Sequence, residues 1–265
     1  ILLLISYIFF LFFIKKNKPK FNLSSKIKIL IVSHFIKDKT LENYDYYFGN
    51  LNFNSNKVEI LRLLHKPILS KIKRNSLNKF NTPNIEILYY NLGFLSNFRI
   101  FLKLIYKSIN YYLTNKDSYD DKISLEFLSI SSFSNIVFYE YCLQLFQKYQ
   151  FDKIICTYEG HPFERLFYLA SNKSINLAQK IGYIHTPYSK YQNSAYLNLG
   201  EDKNPEIIYS YGDISKYIKN FEFTFKNYIY GSVRYNKEIS IENFNYKKNQ
   251  KINNILLLPD GIDEE

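Results

Sequence analysis

The residues best equipped for chemistry stand directly behind short apolar runs: Ser33-His34, Asn91, Glu159-Gly160-His161-Pro162 and His185-Thr186-Pro187. Three of the chain's four histidines fall at such points. An imidazole there can act as a base or hold a phosphate or a sugar hydroxyl. A carboxylate such as Glu159 can take a proton from an attacking hydroxyl, a role worth about 10² to 10⁴ in rate. Glu159, His34 and His185 are therefore the candidate catalytic groups, with Asn91 and His161 as candidate substrate contacts. Each has a plainer reading: Glu159 bonding backbone amides of neighbouring turns, the histidines as hydrogen-bonded strand-end residues. For Glu164 the plainer reading leads. With His161 as helix cap it takes the third helical position, where a glutamate favours the dipole and reaches back to the cap. His161 and Glu164 also form an H-x-x-E pair, but without further ligands that is a weak metal signal, and no metal site is expected.

These residues need strands to carry them. Stretches 26–33, 58–64, 85–90, 151–158, 181–185 and 207–211 are short and apolar, with β-branched residues in most, as buried parallel strands are. Between them, 97–113 has apolar residues at helical spacing, 123–149 is long enough for one or two helices, and 41–51 reads as a further helix. The polar stretch 115–122 reads as an exposed loop inside this helical insertion. Alternating strands and helices predict an α/β, Rossmann-like, doubly wound parallel sheet. In such sheets ligands bind outside the carboxyl ends of the strands, where loops and helix N-termini converge. At the fourth of these ends Gly160 permits a tight turn and Pro162 suits the first helical position. Phe163, Leu166, Phe167 and Ala170 then supply an apolar helix face.

The chain begins at Ile1 and contains no Met, so its N-terminus is expected to be missing. Residues 1–20 form an apolar membrane-proximal segment with a basic flank. The apolar part, 1–14, reaches only about 21 Å as a helix, short of the roughly 30 Å hydrocarbon core. An apolar run ending in lysines is what the positive-inside rule expects at the cytoplasmic end of a membrane segment. The expected layout continues with a Rossmann-like domain over 21–235 and an Asn-rich linker over 236–254. At 255–265 a strand, a turn and an acidic helix start open a second domain.

Other features exclude. The net charge of +11 is concentrated mainly in two lysine-rich clusters, one abutting the apolar run and neither a recognised nucleic-acid motif, so a nucleic-acid partner is not expected. Two cysteines without CxxC spacing favour a reducing compartment. No two glycines lie closer than Gly200 and Gly212, which leaves no GxGxxG and no P-loop. There is no D-x-D pair and no Gly-x-Ser-x-Gly elbow. The wealth of Lys, Asn, Ile, Tyr and Phe reflects an AT-rich coding bias, so the aromatic count carries little functional weight.

With these residues in view, the chain resembles the bacterial surface-carbohydrate biosynthesis proteins, which look like two-domain glycosyltransferases of the GT-B type. The resembling stretches are ILIVSHF at 29–35, YFGNL at 47–51, YEGHPFER at 158–165, GYIHT at 182–186, GSVRY at 231–235 and LLPDGIDEE at 257–265. Phe163 stands where that family would lead one to expect Trp. The resemblance implies that this is the acceptor-side, N-terminal half of a GT-B-like architecture, the other half holding a nucleotide-sugar donor. It implies that Glu159, Glu164 and His185 match the family's motif polar residues and Arg234 the motif before the domain crossover. Arg165 and Thr186, inside the same motifs, join His161, Glu164, Asn91 and Arg234 as implied substrate contacts. The implied mechanism is direct displacement at the anomeric carbon, with Glu159 or a histidine as base and no obligatory metal or other cofactor. The implied acceptor is a glycan, possibly lipid-linked, met in the cytoplasm at the inner face of the plasma membrane. A nonenzymatic membrane scaffold of the same pathway, or a polyol-phosphate transferase using the same cleft, are the alternatives.

Overall fold

The apolar run behind Ser33-His34 forms strand β1, Ile27–His34, and the rest of the sheet is built outward from it. The computed structural model describes residues 27–34, 44–45, 47–50, 58–65, 85–89, 92–115, 118–174, 177–186 and 193–231. The chain divides into two compact units, Ile1–Arg234 and Tyr235–Glu265, and every described residue belongs to the first. The 1–20 segment, the linker and the start of a second domain lie outside the described residues, and the 21–235 domain is described only within 27–231. No helix among the described residues is long and apolar enough to cross a membrane.

After β1 come β2 (Tyr44–Asp45), β3 (Gly49–Asn50), β4 (Val58–His65) and β5 (Ile85–Tyr89). Three helices follow: α1 (Phe94–Thr114), α2 (Ser118–Glu126) and α3 (Ile130–Lys148). Then come β6 (Lys153–Thr157), α4 (Pro162–Lys173), β7 (Gln179–Ile184), α5 (Asn193–Tyr196), β8 (Ile207–Ser210), α6 (Ser215–Ile218) and β9 (Lys226–Ile229). The larger sheet has the order β5-β4-β1-β6-β7-β8-β9, and every pairing in it is parallel. The chain thus builds to one side of β1, returns, and builds to the other, which puts the topological switch point between β1 and β6. The Rossmann-like α/β architecture is the one that the alternation of elements predicts.

Strand residues point alternately to the two faces. On one face Leu30, Val32, Leu61, Leu63, Ile154 and Cys156 are wholly buried, in one core with Phe133 and Phe138 of α3 and Phe167 of α4. On the other face Ile31, Ile60 and Leu64 are also buried. A sheet covered on both sides needs runs apolar at consecutive positions, which is why these strands read as unbroken rather than alternating.

Three local expectations are corrected. Stretch 41–51 is not a helix where it is described: β2 and β3 pair antiparallel as a hairpin. Asp45 Oδ1 accepts the N–H groups of Tyr47 (2.7 Å) and Phe48 (3.0 Å), and Gly49 takes a left-handed φ of 73°, both of which hold a turn against helix. Within 115–122, Ser118–Lys122 belong to α2, whose first turn carries Asp120 and Asp121 at its positive end. Strand β9 is an element that the hydrophobic pattern does not announce, because most of it is exposed.

One charge lies inside the sheet. Arg62, in the middle of β4, is completely buried; its Nη2 donates to Asp45 of the hairpin and its Nε to Ser33 Oγ of β1 (3.4 Å). The ion pair ties the hairpin to the strands beneath it.

Candidate active site

Strand β6 ends at Thr157, and the chain turns sharply through Tyr158, Glu159 and Gly160 into α4. Gly160 has φ of 85°, and a Cβ on it would lie 2.4 Å from the backbone of Ser194 and Ala195, so only glycine fits. The turn is held from within. Glu164, wholly buried, accepts the N–H groups of Glu159, Gly160 and His161 on its Oε2 at 2.8, 2.8 and 2.9 Å, and the Thr157 hydroxyl on Oε1 at 3.0 Å. Burial pushes the Glu164 carboxyl up to about 7, against His161 and these donors, which favour the charged form.

With the turn fixed, the Glu159 side chain is aimed across to β7. Its Oε1 accepts the Thr186 hydroxyl at 2.5 Å and lies 3.3 Å from His185 Nε2, while its Oε2 lies 3.3 Å from His161 Nε2. Burial pushes this carboxyl up, but the hydrogen bond from His161, the charge of His185 and the Thr186 hydroxyl outweigh it and hold it down to about 2. The hydrogen bond to Glu159 raises His161, against partial burial. His161 is half exposed and Glu159 19% exposed, whereas His185 is nearly enclosed, with the Tyr47 ring of the hairpin edge-on at 4.5 Å. The solvent-facing member of the cluster is therefore an imidazole, backed by an ionised carboxylate.

The structure brings Glu159, His161, His185 and Thr186 together. Glu164 and Arg165 are architecture. Arg165 is buried, and it donates to Asn204 Oδ1 and to the carbonyls of Ser194 (2.8 Å), Ala195 (3.3 Å) and Leu197 (2.9 Å), with its guanidinium over Tyr158. Its hydrogen bonds hold the α5 segment against the Gly160 turn, where Ser194 Oγ also donates to the Glu159 carbonyl at 3.2 Å. His34 stands at the tip of β1, its Cα opposite that of His65. Asn91 and Arg234 lie outside the described residues.

Two contributors escape the sequence reading. His65, one residue past the strand read at 58–64, is buried and stacks on Phe163 at 3.9 Å; His161 lies nearly parallel to the same ring at 6.0 Å. Its position beside His34 in neighbouring strands is the signal that finds it. Tyr47 reaches the site only through the hairpin; it opens the YFGNL stretch of the resemblance, but nothing in the sequence marks it as a site residue. Among the described residues no group of three or more His, Cys, Asp or Glu side chains could hold a metal ion.

A carboxylate that orients an exposed imidazole and stabilises the protonated form it takes on makes a proton acceptor suited to a hydroxyl nucleophile. The cluster lies on β6 and β7, next to the switch point between β1 and β6, where open parallel sheets bind ligands. No protein family and no curated protein matches the chain. Among solved structures it is similar to the trehalose-6-phosphate phosphatase N-terminal domain of Candida albicans, at 13% identity and a TM-score of 0.37, over 75% of this chain and 42% of that one. At that distance nothing about activity passes from one to the other.

Proposed function

We propose that the protein is a glycosyltransferase-like enzyme of bacterial surface-polysaccharide synthesis, its described domain being the acceptor side of a GT-B-like pair. In this reading His161 removes the proton from the acceptor hydroxyl as it attacks the anomeric carbon of a nucleotide sugar. Glu159 orients the imidazole and stabilises its protonated form, and His185 and Thr186 fix Glu159 from the other side. The departing nucleoside diphosphate is received by the second domain. The work is done at the inner face of the plasma membrane on a glycan or lipid-linked acceptor.

The observation that carries the reading is the Glu159 carboxylate beside the switch point, bridging His161 and His185. The motif resemblance supplies the substrate class. The chemistry asks only for a base at the acceptor oxygen, because the donor brings its own leaving group.

The test uses the full-length protein and a panel of nucleotide sugars, with binding and transfer measured separately. His161→Gln is expected to lower kcat by about 10² to 10⁴ while donor binding is retained. In the wild type the rate rises with pH through the raised pKa of His161, and Glu159→Gln moves that limb to lower pH. A full-length protein that binds no nucleotide sugar, or a His161→Gln variant as fast as the wild type, would refute the proposal.

A further inference from the structure

Helix α1 is apolar on two opposite sides. Asn97, Ile100, Leu104 and Ser108 form its buried face. Leu95, Phe98, Leu102, Tyr106, Ile109 and Leu113 are between 40% and 79% exposed. At about 100° per residue these six fall within an arc of about 80°, centred opposite the buried face. Among the described residues no other element covers that stripe. Arg99, Lys103 and Lys107, all exposed, run along one border of it, and no acidic residue occurs from Phe94 to Asn115. The nearest carboxylates in sequence belong to α2 and its approach, where Asp120 accepts the Tyr111 hydroxyl at 2.9 Å by the helix's C-terminal end.

We infer that the outer face of α1 is a membrane-docking surface that lies flat on a bilayer bearing anionic lipid headgroups. An apolar stripe from Leu95 to Leu113 is about 27 Å long at 1.5 Å per residue, enough to rest in the interface along its whole length. The cationic row complements headgroup phosphates, and each such charge adds about fivefold to the affinity for an anionic surface. Charge also decides against a second copy as the occupant. Two helices paired antiparallel through this stripe would set two cationic rows side by side, and paired parallel would leave each row with no carboxylate on the partner helix to answer it. The surface draws on none of residues 1–14 and requires no glycosyl donor, so it stands whether or not the transferase reading does.

The test uses the full chain and vesicles of phosphatidylcholine, either alone or with about 30% phosphatidylglycerol. An environment-sensitive dye is attached through Leu102→Cys and, separately, Ile109→Cys. Both native cysteines are completely buried, so the introduced thiol takes the label. A control dye is placed at Glu206→Cys, just ahead of β8. The expected result is a blue shift at 102 and 109 on anionic vesicles, little on neutral ones, and none at 206. Replacing Arg99, Lys103 and Lys107 together by Gln lowers the affinity by up to about a hundredfold, as does high salt. Dyes at 102 and 109 that stay silent while the chain still sediments with vesicles would overturn the inference, because the chain would then be anchored elsewhere. A blue shift that needs only protein concentration and accompanies a doubled mass would also overturn it, in favour of a second copy.

Discussion

Glu159 is charged, largely shielded from water, and faced by two imidazoles and a hydroxyl. Held at about 2 against an ordinary value of 4.5, at about 1.4 kcal/mol per unit, its ionisation contributes on the order of 3 kcal/mol to folding. The sign follows from the direction: the contribution is complete above about 4.5 and is lost as pH falls toward 2. His161 is raised above 6.5, so its share is complete below that value and is lost as pH climbs through the raised one. Denaturant titrations of wild type and Glu159→Gln are thus expected to differ most between about pH 4.5 and 6.5, with the gap closing on either side. A gap constant from pH 2 to 9 would mean that the carboxylate and imidazole are not coupled. At this scale the sequence is informative where a strand ends: the polar residues behind the fourth and fifth runs identify Glu159, His161, His185 and Thr186. The inward role of Arg165 is hidden, because its partners Ser194 and Asn204 come 29 and 39 residues later.

The hairpin depends on one pair of charges. Removing one member of a buried ion pair leaves the other without compensation, at a cost of about 3 to 5 kcal/mol. Asp45→Ala should show that loss in chemical denaturation, and Asp45→Ala with Arg62→Leu should recover much of it. A single variant within about 0.5 kcal/mol of wild type would show that the hairpin is not held this way. Because Tyr47 packs on His185, Asp45→Ala is also expected to shift the ring-proton resonances of His185, although the two residues lie 140 apart in sequence. Stretch 41–51 reads as a helix because a local reading sees only neighbours, whereas Arg62, from a strand beyond, decides the outcome. Long insertion helices are more legible: α1 from the helical spacing of its apolar residues, α3 from the length of its segment alone.

At the level of the molecule, strand order is what the sequence withholds. Alternating elements announce a parallel sheet, but the pairing of Ile29 with Lys153 joins residues more than a hundred positions apart. The order predicts a gradient of protection. Backbone amides of β1 and β6, between strands and under buried side chains, should exchange with solvent more slowly by orders of magnitude than those of β9, three of whose four residues are exposed. Hydrogen exchange read by mass spectrometry checks this, and equal protection of β9 and β1 would contradict the strand order. One more consequence follows from that order. The chain's four histidines end or follow β4, β1, β6 and β7, which are consecutive neighbours in the sheet. Every imidazole proton resonance of the chain therefore originates on a single rim. The protein carries its own spectroscopic window onto the place where a ligand would arrive, with the opposite rim dark.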